Sequence, residues 1–291
     1  MAWLKKVNMT DPSFPSNRPT KAMYQYEEGL RNHIARVVAI QPFSDLSDAE
    51  RGLFKTGSEN TYALEANETI FYAQGGGQPF DTEYIEAANH GDNRPKFIVE
   101  AVRNGSEGRI LHFGHFEDPT TVVNLKAGDI IEQHIDGAKR DLNSRIHTAG
   151  HLIALSIRHL AQQEPDLNVT ELKAQHYPET SFVEFQGSID GKFKEAIQNQ
   201  STQYVKDALP VNLAWYLPDE LHSHAVITAE GMPIVAGADG KVRVVDIVGA
   251  GAYPCGGTHV PDTSQVGGIV VKGIKRQKGN SKVSYAVLDA E

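Results

Sequence analysis

"AKRDLNSRIHTAGHLIALSIRHLAQQ", residues 138–163, divides this chain into two kinds of sequence. Its apolar residues fall at Leu142, Ile146, Ala149, Ile153, Ile157 and Leu160. Steps of three and four keep one face apolar, so the stretch predicts a single helix of more than about six turns. Pro165 stops it, because proline supplies no amide and clashes with the preceding turn.

Upstream the periodicity is that of strands. Residues 33–43 alternate loosely, 60–74 read as two strands with a turn at Ala66-Asn67, and 127–136 read as another. Residues 96–116 are two apolar runs around Asn104-Gly105, the signature of a hairpin. "GGGQPFDTEYIEA" is a glycine-rich turn followed by a strand. Many short strands in one stretch predict a small β-barrel-like domain over residues 30–136, preceded by a polar, proline-bearing tail or edge segment at 1–29. Downstream, helices and antiparallel strands mix. Residues 172–187 read as a hairpin, 191–210 as a second helix stopped by Pro210, 211–217 as a strand and 218–225 as a short helix. A strand at 240–249 and a closing hairpin at 267–289 complete the pattern. The fold class expected is α+β, with an antiparallel sheet in a second domain at 137–291.

Composition narrows the function classes. With 40% hydrophobic residues in 291, the chain can bury real cores, and 22% charged residues is near the globular norm. No stretch approaches the length of a membrane helix, and the N-terminus lacks the apolar core of a secretory signal. The single cysteine allows no internal disulfide, which fits a reducing compartment and a cytoplasmic location. A net charge of −9 argues against nucleic acid as a partner of the whole surface. One basic run stands out, "VKGIKRQKGNSK", with Lys272, Lys275, Arg276, Lys278 and Lys282.

The chemistry concentrates in two pairs. His147 and His151 lie four apart on the long helix, one turn above the other on the same face, where two imidazoles can grip one ion. Cys255 and His259 repeat the interval in "PCGGTH", where Gly256 and Gly257 can fold the loop tightly and Pro254 stiffens its entry. Thiolate and imidazole suit one Zn²⁺, so His147, His151, Cys255 and His259 are the expected metal ligands and the catalytic set. A buried structural thiol is the plainer reading of a lone cysteine. The two pairs together outweigh it.

These residues carry a resemblance. "RIHTAGHL" followed by "CGGTH" resembles the editing domain of alanyl-tRNA synthetase, and "FYAQGGGQPFD" at 71–81 resembles the glycine-rich motif that separates this family from the threonyl editing domain. The resemblance covers roughly residues 30–291 and includes no aminoacylation domain, so the chain is similar to the freestanding alanyl-tRNA editing proteins of the AlaX type. It implies a zinc-dependent hydrolase that deacylates mischarged tRNA(Ala), chiefly the seryl and sometimes the glycyl ester, acting as a monomer or homodimer away from membranes. A small apolar pocket rejects an added hydroxyl only weakly, which is why an alanine enzyme needs a second, hydrolytic sieve. Zinc would activate water or anchor the ester. Four ligands would close the site, so either one of them, His259 or His147, stands behind the others or the ion expands its coordination.

The sequence departs from the family pattern at Gly150, where Gln or Thr is common, and at Ala73-Gln74, where a Pro-acidic pair is common. Gly150 implies neutral drift or a differently selective pocket. Thr170, Gln175 and His176, in the hairpin after the long helix, are the expected polar wall of the amino-acid pocket, with Gly150. Gly75, Gly76, Gly77 and Gln78 are expected on the tRNA side, together with Lys272, Lys275, Arg276 and Lys278. The His112/His115 and His222/His224 pairs are not expected to ligate a metal. Two other readings remain: the same hydrolysis on another mischarged aminoacyl-tRNA, and a non-catalytic, zinc-stabilised RNA-binding module.

Overall fold

The computed structural model describes residues 19–88, 94–228, 234–237 and 239–289, so most of the expected N-terminal tail, 1–18, lies outside the described residues. The chain forms two compact units. The first comprises residues up to Ala22, Arg31–Ile70 and Thr82–His134; the second takes Met23–Leu30, Phe71–Asp81 and Ile135–Glu291.

The first unit is a closed six-stranded barrel whose successive neighbours run antiparallel. Its strands are β2 (Asn32–Pro42), β3 (Tyr62–Ala66), β5 (Glu83–Ala87), β6 (Lys96–Asn104), β7 (Ile110–Phe116) and β8 (Ile130–Ile135), in the order β2-β3-β7-β6-β5-β8. A two-residue parallel pair, β1 (Lys21–Ala22) on β4 (Glu68–Thr69), and one helical turn, α1 (Asp48–Arg51), complete it. Alternation along the strands places Phe97, Val99, Leu111, Phe113 and Ile131 inside, all nearly inaccessible. His112 is also fully buried, with Nδ1 bonded to Leu64 O at 2.9 Å and Nε2 to Thr69 Oγ1 at 2.8 Å.

The second unit is α+β. The long helix, α2, runs Gly137–Gln163, capped by Asp136, whose carboxylate accepts the Lys139 amide at 2.9 Å. The expected apolar face is buried at Ile146, Ala149, Ile153 and Ile157, but so are Ser144, Thr148, Leu152, Ala154 and Leu155. The middle of α2 is therefore enclosed on nearly all sides rather than along one stripe. It packs against α3 (Lys194–Lys206) and against a four-stranded sheet, β14-β15-β10-β9, made of β9 (Thr170–Gln175), β10 (Phe182–Gln186), β14 (Ile269–Gln277) and β15 (Asn280–Val287). A three-stranded sheet holds β11 (Val211–Tyr216), β12 (Val242–Ile247) and β13 (Gly251–Pro254). Among the described residues no helix is long and apolar enough to cross a membrane.

Two details differ from the sequence expectations. Residues 218–225 form turns rather than a helix: isolated bonds such as Ala225 N to His222 O at 3.1 Å close single turns, and Ala225 ends them at φ 52°. The glycine-rich stretch Phe71–Asp81, expected within the β-rich domain at 30–136, clusters with the second unit. The physical reason is a buried ion pair. Arg140 of α2 and Asp81 are almost wholly inaccessible and bond each other, Nε to Oδ2 at 3.0 Å, while Asp81 also accepts the Tyr72 amide at 2.7 Å. Neither charge could be buried alone, so the segment is tied to α2.

Candidate metal centre and its cavity

The two sequence pairs converge. Ligand atoms of His147, His151, Cys255 and His259 all lie within 4.8 Å of one another. His147 and His151 project from successive turns of α2, their rings 5.0 Å apart; Cys255 and His259 come from the loop after β13. Cys255 Sγ is 3.4 Å from His147 Nε2 and 3.6 Å from His259 Nε2. Gly257 makes the approach possible: a Cβ there would stand 2.1 Å from His147 Cε1 and 2.9 Å from Gln78 Oε1.

Hydrogen bonding sets the orientation of the imidazoles. Gln78 Nε2 donates to Thr258 Oγ1 at 2.9 Å, Thr258 meets Ser144 Oγ at 2.8 Å, and Ser144 Oγ donates to Arg140 O at 2.9 Å. This one-way chain fixes the Gln78 amide, whose Oε1 then accepts the Thr258 amide at 3.0 Å. The same oxygen lies 2.7 Å from His147 Nδ1, so Nδ1 carries the proton and Nε2 presents its lone pair to the centre. Glu28 Oε1 holds His259 by its main-chain amide at 3.1 Å and its Nδ1 at 3.4 Å. Arg243 anchors this carboxylate at 2.6 Å and also donates to Cys255 O at 2.6 Å. His151 Nε2 is buried with no hydrogen-bond partner among the described residues.

This arrangement fits a metal. The S···N separations match the roughly 3.5 Å edge of a tetrahedron drawn on Zn–S of about 2.3 Å and Zn–N of about 2.0 Å. Two of the three imidazoles are held through their far nitrogens by an amide and a carboxylate, as metal-bound histidines commonly are. The orphaned His151 nitrogen gains a partner. Electrostatics points the same way. Burial pushes the Cys255 thiol up, yet the imidazoles of His147 and His259 hold it well below its ordinary value. Burial lowers His147 to about 4, against the pull of Cys255. For His259, burial is outweighed by Cys255 and Glu28, which raise it to about 9. A thiolate beside the His147 Nε2 lone pair is ready for a metal, which would take the place of the proton held by His259.

His147, His151 and Cys255 border a cavity of about 700 Å³ within the second unit, and His259 lies outside its lining. Gly76, Gly77, Thr170, Glu171, Ala174, His176 and Tyr253 line other parts of it. Of the expected pocket wall, His176 is buried and stacks on His147 at 4.2 Å. Thr170 is exposed at the edge, and Gln175 is occupied by Thr180 Oγ1 and O outside the lining. Gly150 is buried behind His176. Of the expected tRNA-side residues, Gly76 and Gly77 line the cavity and Gly75 flanks it. Gln78 is fully buried and engaged with His147 and Thr258, which leaves it no surface to offer a nucleic acid. Lys272, Lys275, Arg276 and Lys278 are exposed along β14 and its turn, away from the lining; Arg276 lies 3.4 Å from Asp190.

Glu28, Arg243, Ser144 and Thr258 were missed by sequence reasoning. Ser144 and Thr258 had a weak signal, being three residues before one ligand and one before another. Glu28 and Arg243 had none, because only the tertiary fold brings them to Cys255 and His259.

The model of the threonyl and alanyl tRNA synthetase second additional domain matches residues 242–284, which include the Cys255–His259 loop. An alanine–tRNA ligase of Methanosphaera stadtmanae is 29% identical over 99% of this chain, which spans 32% of the ligase. The alanyl-tRNA editing protein AlaX-M of Methanosarcina barkeri is 30% identical over 77% of this chain and 88% of its own length. AlaX-L of Pyrococcus horikoshii is 26% identical over 75% of this chain and 50% of its own. The chain thus spans about a third of the length of the ligase it matches from end to end.

Proposed function

The chain belongs to the alanyl-tRNA editing family of the AlaX type, and from that premise we propose that it is a trans-acting deacylase of mischarged tRNA(Ala), with Ser-tRNA(Ala) as its main substrate and Gly-tRNA(Ala) as a second. One observation carries the reading: His147, His151, Cys255 and His259 converge, and the first three border a cavity that the glycine-rich segment also lines.

These four residues would hold one Zn²⁺, which when bound supplies a Lewis acid beside the scissile ester. The chain's own part is positioning. Gln78 and Glu28 hold the rings of His147 and His259, and Arg243 ties Glu28 to the Cys255 carbonyl. Gly77, at φ 78°, lets the glycine-rich segment meet β9 with no side chain between: a Cβ there would lie 2.4 Å from Ala174 O. The result is a pocket with walls fixed by main chain, a shape suited to a terminal adenosine and its small amino acid. Gly75, Gly76 and Gly77 would receive the ribose side of the acceptor end. Lys272, Lys275, Arg276 and Lys278 would meet tRNA phosphates, with the steep salt dependence such contacts bring. The location proposed is the cytoplasm.

The test is deacylation of Ser-, Gly- and Ala-tRNA(Ala) by the wild type and by Cys255→Ala, with zinc content measured on both. Cleavage of the seryl ester, sparing of the alanyl ester and a dead variant with lowered zinc are expected. Zinc retained with no ester cleaved faster than the blank would sink the deacylase reading and favour a binding module.

A further inference from the structure

Given the deacylase reading, on which its substrate rests, we propose that His176 determines specificity in the aminoacyl pocket: its Nε2 accepts a hydrogen bond from the side-chain hydroxyl of a seryl ester, and Gly150 is the residue that admits its ring.

Three observations meet here. The first is placement. His176 is 2% exposed, lines the cavity and stacks on His147 at 4.2 Å, so its ring abuts the group that would sit nearest the scissile ester. Its amide is also fixed, donating to Gly77 O at 2.8 Å. The second is polarity. Tyr285 Oη donates to Ile146 O at 3.0 Å. Having spent its proton there, the phenol can only accept from His176 Nδ1, 2.6 Å away. Nδ1 therefore carries the imidazole proton, and Nε2 is left with the lone pair on a ring that borders the cavity. A pocket acceptor fixed in this way suits a donor on the substrate. Serine has a hydroxyl to give; alanine and glycine do not.

The third is the glycine. A Cβ at position 150 would lie 2.3 Å from His176 Cε1, 2.6 Å from its Nδ1 and 2.7 Å from Tyr285 Oη. No side chain fits in α2 at that place while His176 and Tyr285 keep their bond. A mid-helix glycine costs about 1 kcal/mol against alanine. Here the cost has a physical counterpart: the volume given up at 150 is the volume the imidazole occupies. Gly150 and His176 are one feature, not two.

Gln175 does not compete for the role, being bound to Thr180 outside the lining, whereas Thr170 lines the cavity only at its exposed edge.

Leaving a buried acceptor unpaired in the alanyl complex predicts a ten- to hundredfold preference for serine. The test is calorimetric binding of amide-linked, non-hydrolysable seryl-, alanyl- and glycyl-adenosine to the full chain, with deacylation followed in parallel. The wild type should bind the seryl compound at least about tenfold more tightly than the other two. His176→Phe keeps the ring and its stacking but removes both nitrogens, and the preference should vanish. Tyr285→Phe and Gly150→Ala should shrink it by releasing or displacing the imidazole. Thermal melting accompanies each variant; if His176→Phe is unfolded, Tyr285→Phe decides. A wild type without preference, a preference intact in the variants, or an equal weakening of all three compounds would each overturn the assignment. If the preference behaves as expected but no ester is cleaved, the deacylase reading fails and the role of His176 stands.

Discussion

Two adjacent glycines should behave oppositely. An alanine Cβ at Gly257 would lie 2.1 Å from His147 Cε1 and 2.3 Å from its Nδ1, more than an ångström inside ordinary contact. His147 is 1% exposed and its ring packs against those of His151 and His176, so it cannot swing away freely. Any displacement breaks its bond to Gln78 and moves Nε2 beyond the roughly 0.2 Å tolerance of a metal ligand. Loss of an outer-shell partner alone lowers metal affinity by about 10–100-fold, so Gly257→Ala should weaken zinc binding at least about 100-fold. Overpacking adds about 1–3 kcal/mol of instability in the metal-free protein. In excess zinc a further 2.7 kcal/mol or so disappears with the hundredfold affinity. At Gly256 the nearest atom is Gln25 Nε2 at 3.3 Å, the mobile end of a side chain, so Gly256→Ala should change little. Chelator competition gives the affinities, and urea unfolding with zinc or with chelator separates the two energies. Equal zinc affinities for the two variants would refute the steric reasoning, as would a Gly257→Ala penalty that is the same with and without zinc.

Two further outcomes concern stability. Asp81→Ala strands the Arg140 guanidinium in the interior and should cost about 3–5 kcal/mol in urea unfolding, whereas Asp81→Leu with Arg140→Leu should recover part of that loss; an Asp81→Ala penalty below about 1 kcal/mol would show the pair idle. In the barrel, burial holds His112 down to about 4, against the opposing bond to Leu64 O. The unfolded chain takes up this proton below about pH 6.5 while the folded chain resists it, so the stability tied to neutral His112 is complete above that value and falls as pH drops toward 4. Between about pH 7 and pH 5 the wild type should lose about 2 kcal/mol more than His112→Gln, and parallel curves for the two would dismiss the assignment.

Much of the second unit was legible locally. The three-and-four spacing from Leu142 to Leu160 announces α2, and Asn104-Gly105 announces a hairpin in the first unit. The ligand pairs were legible for the same reason: an interval of four in a helix or a glycine loop is itself a geometry. The turns at 218–225 were not, since Pro218 opens a helix as readily as a turn, and nothing local records that its bonds close singly.

The chain by itself determined which residue types could meet at a metal, because ligand chemistry is written in residue identity and short spacing. Tertiary structure alone decided how they are held. Glu28 and Arg243 are distant from His259 in sequence, and only folding brings their charges to it. The same holds for Gln78: a glycine-rich segment reads as a nucleic-acid turn until the Arg140–Asp81 pair draws it against α2, where its amide orients an imidazole. Gly150 makes the point most sharply. In sequence it is a missing side chain, and in the fold it is the space that His176 fills, because volume is shared among residues that only packing makes neighbours.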